Sequence, residues 1–224
     1  MSASPPPSAS PSPPAEPWPT HVRATVIFLV LSIVVTGLAY PAVVTGIAQV
    51  VDPSSANGSL LTCPNGTVVG SADIAQNLSA GSLGPGLFWA RPSLTDYNTT
   101  LGADTPPGPT DPALLALLNE TIAWMNAENA TGNSSPTATL PYWWVAPSAS
   151  SVDPDLTPSA ALVQIPRING SLSASVRAAT GFDVATLTAF VNAHITEPPL
   201  PFLGVPFVNV LELDIALLSA EGSC

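Results

Sequence analysis

The chain has 224 residues, a formal net charge of −11 and only 8 % charged residues, against about 25 % in an ordinary soluble domain. All four basic residues are arginines, which excludes a P-loop lysine, Schiff-base chemistry and the basic stripe of a nucleic-acid binder. Few charges and a mean hydropathy of +0.38 point toward a membrane, and two histidines and two cysteines, one of each near a chain end, do not make a four-ligand zinc site.

Residues 1–22 open the chain with a Pro/Ser-rich tail, SASPPPSASPSPPAEPWPT. Such a composition cannot bury a core, so a disordered cytoplasmic tail is expected. Residues 24–51, ATVIFLVLSIVVTGLAYPAVVTGIAQVV, carry no charge. About 20 apolar residues span a bilayer, so a transmembrane helix over 23–51 follows, and it is longer than a signal-peptide core. Arg23 precedes it and Asp52 follows. The positive-inside rule then places the N-terminus in the cytoplasm and residues 52–224 outside the cell membrane. Eight N-x-[ST] sequons, at Asn57, Asn65, Asn77, Asn98, Asn119, Asn129, Asn133 and Asn169, all lie after the helix, as in an exported domain. Within the helix, Gly37, Ala39, Pro41, Ala42 and Gly46 are small or helix-disturbing. Small residues let a partner helix approach closely in lipid, and Pro41 is expected to kink the helix.

The outer segment predicts an α+β domain, because its helices and strands alternate irregularly. Two apolar runs around Pro64-Asn65-Gly66 predict a hairpin at 59–74. Residues 78–109 read as an irregular loop. Asp111-Pro112 starts a helix with Leu114, Leu115, Leu118 and Ile122 on one face. A linker over 131–139 leads into LPYWWVAPS, read as a strand with Trp143 and Trp144 on opposite sides. Thr157-Pro158 starts a second helix through Ile168, Asp183 starts a third, and a final strand is expected near PFVNVLELDIAL.

Chemistry is sparse. His194 is the sole histidine of the outer domain, and no G-x-S-x-G elbow accompanies it. Its plain reading is a helix C-terminal residue facing the dipole. Asp153 and Asp155 in VDPDLTP could share a proton or a cation, or simply form turns and caps. Cys63 and Cys224 could pair outside the cell. From residues alone, the chain is an anchored outer domain without a recognisable active site: a subunit of a larger assembly, a stand-alone membrane-anchored extracellular binding domain, or an anchored hydrolase built on His194.

Longer strings are more specific. The chain carries T-G-L-A-Y-P-A-V-V-T-G-I-A-Q at 36–49, A-N-G-S-L at 56–60, V-V-G-S-A with Gln76 at 68–76 and F-W-A-R-P-S at 88–93. Asp96-Tyr97-Asn98, G-P-T-D-P-A-L at 108–114, D-P-D-L-T-P-S-A-A at 153–161, Q-I-P-R at 164–167 and F-L-G-V-P-F-V-N-V-L-E-L-D-I-A-L at 202–217 follow in order. Together they resemble the C subunit of the Kdp potassium-transporting P-type ATPase over nearly all of 23–217. The resemblance marks Asn57, Gly58, Arg91, Pro92, Gln164, Pro166, Arg167 and Asn209 as motif positions. Pro206-Phe207 departs from it where such proteins often carry a basic residue after the proline.

The resemblance implies a non-catalytic accessory subunit. Its partners would be a channel-like potassium-binding subunit, an ATP-hydrolysing P-type subunit and a small single-helix peptide. It implies no directly bound cofactor and no metal, with ATP and potassium handled by the complex, and no nucleic acid. It also implies one role, a catalytic chaperone raising ATP affinity, with Gln164 as nucleotide contact. The net charge of −11 suggests another, a cap at the external mouth of the potassium-binding subunit, where an acidic surface raises the local cation concentration. The topology separates Gln164 from the cytoplasm by about 30 Å of hydrocarbon, which favours the cap and an organising role for Gln164.

Overall fold

The computed structural model describes residues 18–77, 86–101, 105–131, 140–200 and 202–224. Residues 1–17 of the Pro/Ser-rich tail, 78–85 and 102–104 of the expected loop, and 132–139 of the expected linker with its sequon at Asn133 lie outside that set. The chain divides into two compact units, Met1–Ala56 and Asn57–Cys224.

The first unit is one long helix in three parts: α1 (Trp18–Ser32), a π-helical stretch (Ile33–Ala39) and α2 (Tyr40–Val51). It starts inside the expected tail, at Trp18, because Pro19 is tolerated in a first helical turn. Residues Pro19–Val51 have a hydropathy of 2.4 and no buried side chain in the apolar window. At 1.5 Å per residue this helix is roughly 50 Å long, more than the ~30 Å of hydrocarbon it has to cross. Pro41 has no N–H to give the preceding turn. That turn widens instead, and the Tyr40 N–H reaches back five residues to the Val35 carbonyl, the geometry of a π-bulge. Asp52 ends the helix and starts the short α3 (Pro53–Ala56), its carboxylate accepting from the Ser55 N–H at 3.2 Å and the Ser55 hydroxyl at 2.6 Å.

The second unit is α+β, with much helix and, among the described residues, two small antiparallel sheets. The expected hairpin is β1 (Leu60–Thr62) and β2 (Val68–Ser71), paired Leu60↔Ser71 and Leu61↔Gly70, with an irregularity before Thr62↔Val68. Its turn needs Gly66, which sits at φ +85°, a conformation glycine adopts without cost. The second sheet joins β3 (Asp155–Leu156) to β4 (Val208–Asn209). Residues 196 and 207 also bridge, so the chain between them closes as a loop.

Helix α4 (Pro112–Thr131) starts where expected, with Asp111 accepting from the Ala113 N–H at 2.9 Å, and runs into the expected linker as far as Thr131. Its inner stripe is Leu118, Thr121, Ile122 and Met125, while Leu115 is 66 % exposed. Leu115 lies in the first turn of the helix, which is exposed apart from half-buried Leu114.

Three expectations are corrected. Tyr142–Val145 forms a helical turn, α5, not a strand. Trp144 is still buried and Trp143 58 % exposed, because adjacent residues on a helix point about 100° apart. The expected helix through Ile168 is two, α6 (Pro158–Leu162) and α7 (Ile165–Ser171), since Pro166 cannot continue the hydrogen-bond ladder of α6. The expected final strand is only Val208–Asn209. Then Asn209 accepts from the Glu212 N–H at 3.2 Å and caps α10 (Val210–Ala220). Apolar residues at 210, 211, 213 and 217 serve a helix face as readily as a strand, and the cap decides.

Helices α8 (Ala174–Thr180) and α9 (Val184–Ala193) complete the unit, and α9 carries the expected cap as a reciprocal Asp183–Thr186 capping box. The core gathers Phe88, Trp144, Leu156, Ile165, Ile168, Leu187, Leu213 and Leu217, all buried. Cys63 and Cys224 form a disulfide 161 residues apart in sequence, tying the hairpin to the chain just after α10.

Candidate functional site

The segment Leu87–Ala90 crosses the interior of the second unit, is buried throughout, and belongs to no sheet. Buried peptide groups need partners, and here side chains supply them. The Phe88 N–H donates to Asp214 Oδ1 at 2.8 Å. The Trp89 N–H donates to Gln164 Oε1 at 2.8 Å, and the Trp89 carbonyl accepts from Gln164 Nε2 and from the Trp144 indole N–H, each at 3.1 Å. The Leu87 carbonyl accepts from Arg167 Nη2 at 2.8 Å. Gln164 thus pairs with both peptide groups of one residue, as a neighbouring strand would.

Gln164 is fully occupied. Its Nε2 also donates to the Ala160 carbonyl at 3.1 Å, its Oε1 also accepts from Arg167 Nη2 at 2.7 Å, and its exposure is 0 %. Residues 164 and 167 are one turn apart, which puts both side chains on the buried face. The Arg167 guanidinium stacks on the Trp89 ring, 3.7 Å from its centroid, a contact that suits a planar cation. Asp214 feels the charge of Arg167. Its complete burial pushes its carboxyl well above the usual range, while the Phe88 N–H and Arg167 pull it back.

Around this hub sit the other motif residues. Arg91 spends all three nitrogens: Nε on the Ala146 carbonyl at 3.2 Å, Nη2 on the Pro147 carbonyl at 2.9 Å and Nη1 on Asp153 at 3.0 Å. Its guanidinium also lies 5.9 Å from the exposed Trp143 ring. The Pro92 carbonyl accepts from the Ser148 N–H at 3.4 Å. Pro166 is exposed in the first turn of α7. Asn209, besides capping α10, donates through Nδ2 to the Ala72 carbonyl at 2.7 Å and to Asp155 at 3.2 Å. It joins the hairpin, β3 and α10 in one side chain. Asn57 is exposed, and Gly58 sits at φ +91° with its carbonyl taking the Ser71 hydroxyl at 2.7 Å. Gly70 is required by contact: a Cβ there would run into the Gln76 amide and Leu211, and Gln76 is held in place by donating to the Val69 carbonyl at 2.8 Å.

Asp153 and Asp155 therefore have separate partners, Arg91 and Asn209. Burial and the neighbouring Asp153 push Asp155 up to about 6. His194 ends α9 with Nδ1 2.8 Å from the Phe190 carbonyl and its ring packed on Phe190, centroids 4.5 Å apart, the plain reading of that residue. Of the helix positions, Gly37 and Ala39 fall in the π-helical stretch, and Pro41, Ala42 and Gly46 in α2. Sequence reasoning missed Asp214 and the role of Trp89. The one available signal was an acid inside the apolar face of α10, three residues from Leu211 and Leu217.

This network accounts for the long collinear strings. F-W-A-R-P-S, Q-I-P-R and L-E-L-D-I-A are far apart in sequence yet satisfy one another's backbone and charge. The model of the K+-transporting ATPase c chain, KdpC, matches residues 22–219. The chain belongs to the KdpC family. Similar proteins named potassium-transporting ATPase KdpC subunit come from Geobacter sulfurreducens, 38 % identical over 88 % of this chain and 96 % of the relative, and from Caulobacter vibrioides, 37 % identical over 88 % and 92 %. Another, from Burkholderia vietnamiensis, is 40 % identical over 91 % of this chain and 98 % of the relative. KdpC proteins are accessory subunits of the transporting complex, and one helix long and apolar enough to cross a membrane fits a single-pass member of it.

Proposed function

We propose that this KdpC chain is a non-catalytic subunit of an ATP-driven potassium import complex that acts from outside the membrane. Its second unit caps the external mouth of the potassium-binding subunit and stabilises the assembly needed for high-affinity transport. The observation that carries this reading is the state of Gln164. A nucleotide contact needs a free amide, and this one is sealed inside the domain with every donor and acceptor spent. Leaving those bonds unmade would cost roughly 1–3 kcal/mol for each buried group, so Gln164 serves as an organiser of the Trp89 segment. The competing role, a catalytic chaperone raising ATP affinity in the P-type subunit, would require Gln164 to leave this setting.

The acidity of the second unit supports the cap. Residues 57–224 hold 13 acids and three arginines, and a field of one sign raises the local concentration of the opposite ion. The small residues of the membrane helix, Gly37, Ala39, Pro41, Ala42 and Gly46, suit close packing against a helix of the potassium-binding subunit. The test replaces exposed Asp73, Glu120, Glu197 and Glu212 with their amides in the assembled complex. The apparent affinity for potassium should weaken several-fold at low ionic strength while KM for ATP stays constant. Unchanged potassium affinity would sink the cap, and a changed KM for ATP alone would favour the chaperone.

A further inference from the structure

Between α4 and the chain from Trp89 to Tyr97 lies a pocket of ≈ 180 Å³, lined in part by Trp89, Ser93, Asp96, Tyr97, Trp124 and Met125. Of its lining residues, Trp89 also belongs to the hub. Trp89 and Met125 are buried, and the Trp124 ring lies 5.2 Å from Trp89 at a 32° tilt. The turn that forms one wall is unusual. Asp96 and Tyr97 are successive non-glycine residues in the left-handed region, at φ 53° and 58°. Such conformations cost about 1–3 kcal/mol each and persist where the surroundings over-determine them. Here Ser93 Oγ accepts from both the Thr95 N–H at 3.2 Å and the Tyr97 N–H at 2.8 Å, and the Tyr97 hydroxyl donates to the Arg91 carbonyl at 2.8 Å. Asn77 Nδ2 holds one Asp96 oxygen at 2.6 Å. The turn thus fixes an aromatic wall beside one carboxylate.

The lining itself points to an occupant. Among the described residues, Asp96 is the sole charged one lining the pocket, and Trp89, Tyr97 and Trp124 supply its aromatic rings. Aromatic faces with a single negative charge suit an organic cation, because the ring quadrupole and the carboxylate attract the same sign. They suit a bare metal ion poorly, since hard cations want several oxygens. The volume lies below the roughly 300–1,000 Å³ of drug-sized sites, so only a head group fits.

We propose that this pocket binds a small organic cation head, an alkylammonium or a guanidinium, with Asp96 as its counter-charge and Trp124 and Tyr97 as its aromatic walls. The head group comes either from a free small molecule or from a lysine or arginine of a neighbouring subunit. The second source rests on the subunit reading above, whereas the first does not.

The experiment titrates the full-length chain in detergent with tetramethylammonium chloride and ethylguanidinium chloride, against sodium chloride at equal ionic strength, and reads tryptophan fluorescence. Asp96→Asn removes the charge yet tolerates the left-handed turn. Trp124→Leu removes one wall at a partly exposed position. Thermal melts check that both variants stay folded. Saturable binding that weakens at least tenfold in Asp96→Asn and in Trp124→Leu establishes a free-ligand site. If neither probe saturates, loss of the Asp96→Asn chain from an otherwise intact wild-type complex on purification establishes the side-chain source. Probe binding indifferent to Asp96→Asn overturns the proposal. So does the absence of probe binding together with wild-type assembly of that variant. Failure of the wild-type chain to co-purify with any ATPase would count against the subunit reading alone.

Discussion

The membrane helix and the Trp89 segment are both apolar stretches, and they solve the same problem oppositely. Each must satisfy its backbone away from water. The helix does so within itself, with no buried side chain and no charge over residues 24–51. The Trp89 segment has no ladder of its own and borrows Gln164, Arg167, Asp214 and Trp144 from three other elements. The first arrangement is local and tolerant of substitution. The second is non-local, and each member is needed by the others.

That contrast can be broken or sharpened by experiment. The largest effect is expected from the disulfide, which closes a loop of 161 residues. The chain-entropy relation gives up to about 5 kcal/mol for such a loop. Reduction, or Cys63→Ser with Cys224→Ser, should lower the melting temperature of the second unit by roughly 10–20 °C in calorimetry and leave the membrane helix intact by circular dichroism.

Next is the buried charge. Arg167→Met should cost roughly 3–5 kcal/mol in denaturant unfolding, because it strands Asp214 and the Leu87 carbonyl. Adding Asp214→Leu should restore part of the loss, since a buried pair replaced whole is far cheaper than one broken. A double variant no better than Arg167→Met would show that the two residues do not act as a pair.

Gln164→Ala should cost about 2–4 kcal/mol by unpairing both peptide groups of Trp89. Ala42→Gln, which adds an amide to the membrane helix, should leave the melting temperature of the second unit unchanged. Equal effects from the two would erase the distinction between local and borrowed satisfaction.

The smallest effect is on pH. Asp155 is pushed up to about 6 by burial and Asp153, and Asp214 and Glu221 are also raised by burial. A carboxyl raised on folding binds its proton more tightly in the native state, so its contribution is most favourable at low pH and is lost as pH rises through the folded value. The melting temperature should therefore rise modestly from pH 7 to pH 5. Asp155→Asn should flatten part of that rise, and a melting temperature that falls over the same window would contradict it.

Much was legible from residue order alone. The span at 24–51, the hairpin around Asn65-Gly66 and the starts of α4 and α9 rest on local signals: uninterrupted apolarity, a turn glycine, a cap beside the N–H it serves. The α+β class followed from them. The Tyr142–Val145 turn and the 208–217 run misled because a short apolar stretch has no decisive period. Helix or strand was settled there by the Pro141 carbonyl, which takes the Trp144 N–H at 2.9 Å, and by the Asn209 cap, whose other partners lie elsewhere in the chain.

The candidate site divides the same way. The sequence by itself determined which strings recur in a KdpC chain, that lysine chemistry is absent, and that all acids but Glu16 lie beyond the apolar span. Only the tertiary structure decided what those strings do. It turned Gln164 into a backbone partner, paired Arg91 with Asp153, buried Asp214 beside Arg167, and set Asp96 against a wall of aromatic rings. The physical reason is that a cap or a span is closed within a few residues, whereas a borrowed hydrogen bond joins residues 75 or 126 positions apart, and no local pattern records its other half.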